Sequence, residues 1–102
     1  MPIALTQDSI LETLHEHQHK LKSFGVLEIG LFGSYAKKTQ RKESDIDLLV
    51  DIDKSKKTFR NFMALAYYLE DLFKCRVDLI TKQSLSPYIG PYILKSVKYA
   101  AL

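Results

Sequence analysis

The chain has 102 residues, of which 46% are hydrophobic and 26% charged, with a formal net charge of +3 at pH 7. This composition excludes a disordered chain, and the length predicts one domain over residues 1–102 with one core. The single cysteine, Cys75, excludes an internal disulfide. The first residues show no secretory signal, and no apolar run approaches the roughly 18 residues of a membrane span, so we expect a cytoplasmic protein.

Helical and extended patterns alternate through the first half of the chain. Apolar residues at helical spacing predict a helix from about Gln7 to Phe24, which Thr6 caps and Gly25 ends. The following elements are predicted in this order: a buried strand over Val26–Phe32, a break at Gly33, a short helical turn over Ser34–Lys38 and a polar loop over Thr39–Ser44.

The second half contains the clearest strand pattern, from Ile46 to Ile52. Its even-numbered residues are apolar and alternate with mostly acidic ones, which predicts that the even-numbered side chains face the core. The other predicted elements are a charged loop over Asp53–Lys57, a helix over about Phe59–Phe73 that Thr58 caps, a strand over Arg76–Thr81, an irregular segment over Ser84–Gly90 and a helix from Pro91 to about Ala100. Strands alternating with helices predict an α+β or α/β fold, with helices packed on a small sheet.

Three aspartates lie in or beside apolar runs, where a charge is costly unless it is compensated. Asp45 and Asp47 are two residues apart, so on a strand both side chains leave the same face. Asp78 belongs to the next predicted strand and would join them if the two strands are neighbours. Oxygen ligands of this kind suit Mg²⁺ bound to phosphate, and two such ions can activate an attacking oxygen and stabilise a leaving one. For any one aspartate a solvated strand end is the better interpretation, but the three together favour a catalytic site.

A Gly-Ser pair directly follows the first apolar strand. Gly33 would let a phosphate approach the backbone, and the Ser34 hydroxyl could donate to a phosphate oxygen. Such a pair alone is usually only a turn. Its value comes from its position, because the paired acids Asp45 and Asp47 follow shortly after it.

Together these segments resemble the minimal nucleotidyltransferases of the DNA polymerase β superfamily. The resemblance is carried by Gly33-Ser34-Tyr35-Ala36, by Ser44-Asp45-Ile46-Asp47-Leu48-Leu49-Val50 and by Val77-Asp78-Leu79-Ile80. It covers nearly the whole chain and implies a polymerase-β-like nucleotidyltransferase fold, a small mixed β-sheet flanked by helices. It also implies ATP as substrate and two Mg²⁺ ions.

The resemblance assigns a role to each candidate residue. Gly33 and Ser34 would hold the triphosphate, and Asp45, Asp47 and Asp78 would be the catalytic metal ligands. Asp78 would also help to deprotonate the acceptor hydroxyl. After Ala36 the family commonly has Arg-Gly, whereas this chain has Lys37 and Lys38. Lys37 is therefore a candidate phosphate contact that lacks the bidentate fork of arginine, and a solvated lysine is the alternative.

Small nucleotidyltransferases of this kind are often antitoxins paired with a helical HEPN ribonuclease toxin. The resemblance thus implies an adenylyltransferase that transfers AMP to a tyrosine of a HEPN partner within a hetero-oligomeric complex. It implies no membrane and no direct nucleic-acid binding. A non-catalytic antitoxin that acts by docking is the main alternative, and nucleotide transfer to a small molecule or an RNA end is a weaker one. Most of the tyrosines on the middle helix and near the end are interpreted as core or interface residues, and exposed ones would mark a partner surface: Tyr67, Tyr68, Tyr88, Tyr92 and Tyr99.

Overall fold

One mixed sheet organises the computed structural model of the chain, which describes residues 5–41 and 43–102. Its strands are β1 (Val26–Phe32), β2 (Ile46–Ile52), β3 (Val77–Thr81) and β4 (Lys98–Tyr99). They lie in the order β3-β2-β1-β4; β1 is antiparallel to β2 and β4, while β2 and β3 are parallel. The mixed sheet confirms the predicted fold. Lys42, within the predicted loop, lies outside the described residues.

Five helices accompany the sheet in the described part of the chain. They are α1 (Gln7–Glu16), α2 (Gln18–Ser23), α3 (Gly33–Ala36), α4 (Phe59–Phe73) and α5 (Gly90–Ser96), with short 3₁₀ turns at Lys54–Lys56 and Lys82–Ser84. Thr6 and Thr58 cap α1 and α4 as predicted, because their hydroxyl oxygens accept from the backbone N–H three residues on.

The first predicted helix is interrupted at His17, which separates α1 from α2. His17 has φ −102° and ψ 20°, outside ideal helical values. Its Nδ1 lies 2.9 Å from the carbonyl oxygen of Thr13, where a side chain competes with the helical backbone. The apolar spacing continues through this residue, so the periodicity alone could not show the break.

The main core lies between the sheet and helices α1, α2 and α4. Ile46, Leu48, Val50 and Ile52 are all buried there, which confirms the predicted alternation along β2. They pack with buried residues of the other elements, among them Ile10, Leu14, Leu21, Ile29, Leu31, Leu65 and Leu69. Leu49 is fully buried too, although it alternates with these residues and leaves the other face of the sheet.

The predicted last helix is wrong beyond Ser96. Val97 takes an extended conformation, and β4 then pairs with the free edge of β1, with Gly30 opposite Tyr99. The N–H of Ala100 also donates to Ile29 O at 2.9 Å. A Cβ at Gly30 would crowd the side chains of Val97 and Tyr99, so this glycine allows the C-terminal segment to lie against β1.

None of the helices in the described residues has the length and apolar character needed to cross a membrane.

Candidate active site

The parallel pairing of β2 and β3 brings the three aspartates to one edge of the sheet. Asp47 stands directly beside Asp78 in the register, and Asp45 lies just before β2, two residues from Asp47. Neighbours in register leave the same face, so these carboxylates belong to one surface. Asp45 and Asp78 are exposed, and Asp47 is half-buried. The expectation that the second and third strands could be neighbours in the sheet is therefore confirmed.

The antiparallel pairing of β1 and β2 brings the Gly-Ser turn to the same edge. Phe32 is opposite Asp47, and Gly33 follows it at φ +72°, in the left-handed region that favours glycine. A Cβ added to Gly33 would overlap Oδ2 of Asp47. Glycine is thus required here both by the backbone conformation and by the carboxylate packed against it.

Helix α3 holds Ser34 at this edge through its buried neighbours. Tyr35 and Ala36 are only 5% and 8% exposed, which anchors the short helix in the core. The side-chain amide of Gln7 donates to the carbonyl oxygen of Ala36 at 2.7 Å and ties α3 to α1. Nothing in the sequence pattern pointed to Gln7, because one glutamine at a helix start has many structural explanations.

The turn after α3 accommodates two lysines at the positions where the family that the sequence resembles commonly has Arg-Gly. Lys37 and Lys38 are both exposed, and the N–H of Lys37 donates to Gly33 O at 3.1 Å. Lys38 has φ +59°, a left-handed conformation that a glycine adopts at less cost. The turn therefore has a backbone conformation suited to glycine, and Lys38 is strained in it.

The cost of keeping a carboxylate ionised is concentrated on Asp47. Burial, together with the nearby Asp78 and Asp45 carboxylates, raises the pKa of Asp47 from 3.8 to about 6. Protonation or a cation would relieve this cost. The acid cluster therefore favours the binding of a cation.

The donor set fits a hard divalent cation such as Mg²⁺. Asp45, Asp47 and Asp78 offer carboxylate oxygens on one surface, the kind of ligand that Mg²⁺ prefers with phosphate and water. Within residues 5–41 and 43–102, no three acidic, histidine or cysteine side chains already surround a common point. Asp45 and Asp78, which are exposed, would have to rotate towards an ion shared with Asp47.

A groove of about 240 Å³ lies away from these acids. It is lined by Ile52, Lys57, Thr58, Phe59, Phe62, Thr81 and Ser84. Ile52 and Thr81 are the last residues of β2 and β3, whereas the aspartates are at the first ends of these strands. The candidate active site is thus separate from this groove.

The fold and this acid-rich edge define a nucleotidyltransferase. The nucleotidyltransferase domain family matches residues 11–100, and the chain belongs to this family. The predicted class of enzyme and the predicted membership among the minimal nucleotidyltransferases are thereby confirmed.

Proteins similar to this chain include a protein adenylyltransferase and members of toxin–antitoxin complexes. Protein adenylyltransferase MntA of Thermococcus cleftensis is 41% identical over 96 residues, covering 93% of this chain and 96% of that protein. A toxin–antitoxin structure with AMP-PNP has a TM-score of 0.69 and 25% identity, over 95% of this chain and 73% of that one. The structure of a tri-AMPylated HEPN toxin of Shewanella oneidensis in complex with an MNT antitoxin shares the fold, with a TM-score of 0.60, 22% identity and coverage of 93% and 68%.

Proposed function

We propose that this chain, acting as one domain over residues 1–102, is an antitoxin that transfers AMP from ATP to a tyrosine hydroxyl of a HEPN toxin. The observation that carries the proposal is the convergence of Gly33, Asp47 and Asp78 at one sheet edge. The 41% identity to a protein adenylyltransferase over nearly the full length of both chains supports adenylyl transfer to a protein. The HEPN complex with AMP groups on its toxin supports the choice of partner.

In this proposal the residues position and polarise rather than form a covalent intermediate. Gly33 would let the triphosphate approach the backbone, and Ser34 would donate its hydroxyl to a phosphate oxygen. Lys37 is a further candidate contact to phosphate, since it is exposed at the end of α3. Asp45, Asp47 and Asp78 would hold two Mg²⁺ ions, which supply the positive charge that stabilises the transferring phosphoryl group.

The transfer is a displacement at the α-phosphorus of ATP. The tyrosine oxygen forms a bond to the α-phosphorus while the bond from that atom to the bridging oxygen of pyrophosphate breaks. Asp78 takes the proton of the tyrosine hydroxyl, and pyrophosphate leaves with the bonding electrons. Holding both reactants in line provides much of the rate enhancement in reactions of this kind.

A label-transfer assay tests the proposal. Purified chain, α-labelled ATP, Mg²⁺ and the HEPN partner should give label on the partner, and Asp45→Asn with Asp47→Asn should reduce the rate by about 10²-fold or more. Asp51→Asn is the matched control, because Asp51 is on the same strand at the other end and contacts Gln83 instead of the acid cluster. Equal labelling by the double variant would overturn the assignment of the acids.

The docking antitoxin remains the second candidate because large apolar side chains are exposed on and beside α5, the helix that packs against α3. The same experiment separates the two functions. A stable complex that neutralises the toxin without any label on it would favour docking and would leave the acids without a catalytic role.

A further inference from the structure

We propose that the C-terminal surface, defined by Tyr88, Ile89, Tyr92, Leu94, Lys95 and Lys98, docks the protein that carries the acceptor hydroxyl. This inference rests on the proposed adenylyl transfer and adds to it the place where the acceptor binds. The partner surface that fits is apolar at its centre and acidic at its rim.

The apolar part of this surface is concentrated in a short stretch of chain. Tyr88 and Tyr92 are 84% and 76% exposed, and Ile89 and Leu94 are exposed in the same stretch, on or next to α5. Single exposed apolar residues are ordinary, but a cluster with two exposed tyrosines is typical of a protein interface.

Charge complementarity points to an acidic partner. All twelve acidic residues of the chain lie in residues 1–78, which also hold twelve lysines and arginines. Residues 79–102 contain Lys82, Lys95, Lys98 and no acid, so the net charge of +3 resides entirely in this segment. Lys82 pairs with Glu28 at 2.9 Å, whereas Lys95 and Lys98 are exposed beside the apolar residues.

The C-terminal surface is continuous with the candidate active site. Helix α5 packs against α3, the helix that begins at Gly33 and carries Ser34. A tyrosine hydroxyl must reach the α-phosphate held beside these residues, so a protein docked on α5 would lie next to the reacting atoms. The groove lined by Phe59 is at the other end of β2 and lacks this continuity.

The same charges argue against a second copy of this chain as the occupant. A symmetric pair would bring Lys95 and Lys98 of both copies together on one interface, and like charges there oppose association. An acidic acceptor protein would instead gain steering at low salt.

The decisive experiment titrates the purified HEPN protein of the proposed pair against variants of this chain. Tyr88→Ser with Tyr92→Ser should weaken the complex about 30-fold or more and raise KM for the HEPN protein, while kcat at saturation and affinity for ATP stay unchanged. Tyr67→Ser is the matched control, since Tyr67 is 63% exposed on α4, outside this surface, and should have no effect.

A second variant tests the charge complementarity. Lys95→Glu with Lys98→Glu should slow association about tenfold at low salt, and the effect should shrink as salt is added. Circular dichroism and ATP affinity verify that each variant is folded.

The outcomes distinguish this inference from the proposed function. Unchanged affinity and KM in the tyrosine variant would overturn the docking surface while leaving the enzyme intact. Self-association of the wild type that the tyrosine changes abolish would also overturn it, whereas absence of any complex with the HEPN protein would overturn the proposed function as well. Loss of labelling only in the Asp45/Asp47 variant concerns the chemistry and not this surface.

Discussion

The position of Asp47 suits the binding of a cation. Without a cation, the same position is unfavourable for an ionised carboxylate. The side chain of Asp47 lies against Gly33 and beside Asp78, and burial together with the neighbouring carboxylates raises its pKa to about 6. At neutral pH the metal-free protein therefore bears an electrostatic cost for keeping this group ionised.

We expect Asp47→Asn to stabilise the metal-free protein at pH 7. The folded pKa of about 6 exceeds the reference value of 3.8, so the penalty is full above pH 6 and disappears as the pH falls towards 4. Because Asp47 is partly exposed, the gain in free energy of unfolding at pH 7 should be about 1–2 kcal/mol. Urea unfolding in EDTA at pH 7 and at pH 4 measures this gain in stability. A loss of stability at pH 7 would contradict the proposed electrostatic penalty.

Lys38 offers a second residue-level test. Its φ of +59° is strained for lysine, so Lys38→Gly should raise the free energy of unfolding by about 0.5–1 kcal/mol. Lys37→Gly is the control, since Lys37 has an ordinary φ of −88° and glycine there should give no gain. Thermal unfolding of the two variants compares them, and equal responses would refute the role of the left-handed backbone.

At the scale of elements, strand pairing and one side-chain contact assemble the site. Antiparallel β1 and β2 place Gly33 on Asp47, and parallel β2 and β3 place Asp78 beside it. Helix α3 is too short to be stable alone, so its position depends on buried Tyr35 and Ala36 and on Gln7 of α1.

Gln7→Ala should therefore loosen α3. We expect a loss of about 1 kcal/mol in the free energy of unfolding, because Ala36 O loses its donor, and a KM for ATP that rises more than kcat falls. Gln18→Ala is the matched control, as the Gln18 amide contacts the His15 ring on the helix surface. Steady-state kinetics with both variants give the comparison; an unchanged KM for ATP in Gln7→Ala would show that this bond does not position the site.

At the scale of the whole molecule, a small core supports an open and acidic active edge. A domain of this size has limited stability of its own, so a bound ligand should contribute a large share. The distribution of charge is also uneven, with an acid cluster at the site and an uncompensated basic segment over residues 79–102. ATP with Mg²⁺ and an acidic protein would each meet the charge that suits it.

Ligand binding should accordingly shift the melting temperature strongly. With Mg²⁺ and ATP at about 100 times Kd, stability should rise by about 2.7 kcal/mol, which corresponds to roughly 10–20 °C for a domain of this length. Differential scanning fluorimetry measures the shift. Most of it should vanish in the Asp45→Asn/Asp47→Asn variant, and a shift that persists there would place the ligand elsewhere.

The sequence by itself determined the local elements and the chemistry of the candidate residues. Alternation along β2 predicted its buried face, and the capping residues Thr6 and Thr58 predicted helix starts, because these signals depend on near neighbours. The resemblance carried by the acids and the Gly-Ser turn predicted a nucleotidyltransferase, which the family match confirms. The individual roles of these residues stay predictions.

Only the tertiary structure decided which segments meet. Strand β4 was missed because Lys98 and Tyr99 become a strand only through the free edge of β1, and the break at His17 was hidden by continuing helical periodicity. The contact of Gln7 with Ala36, and that of Gly33 with the carboxylate of Asp47, join residues distant in the chain. Local sequence sets conformational preference, whereas such contacts depend on the register and packing of the complete sheet.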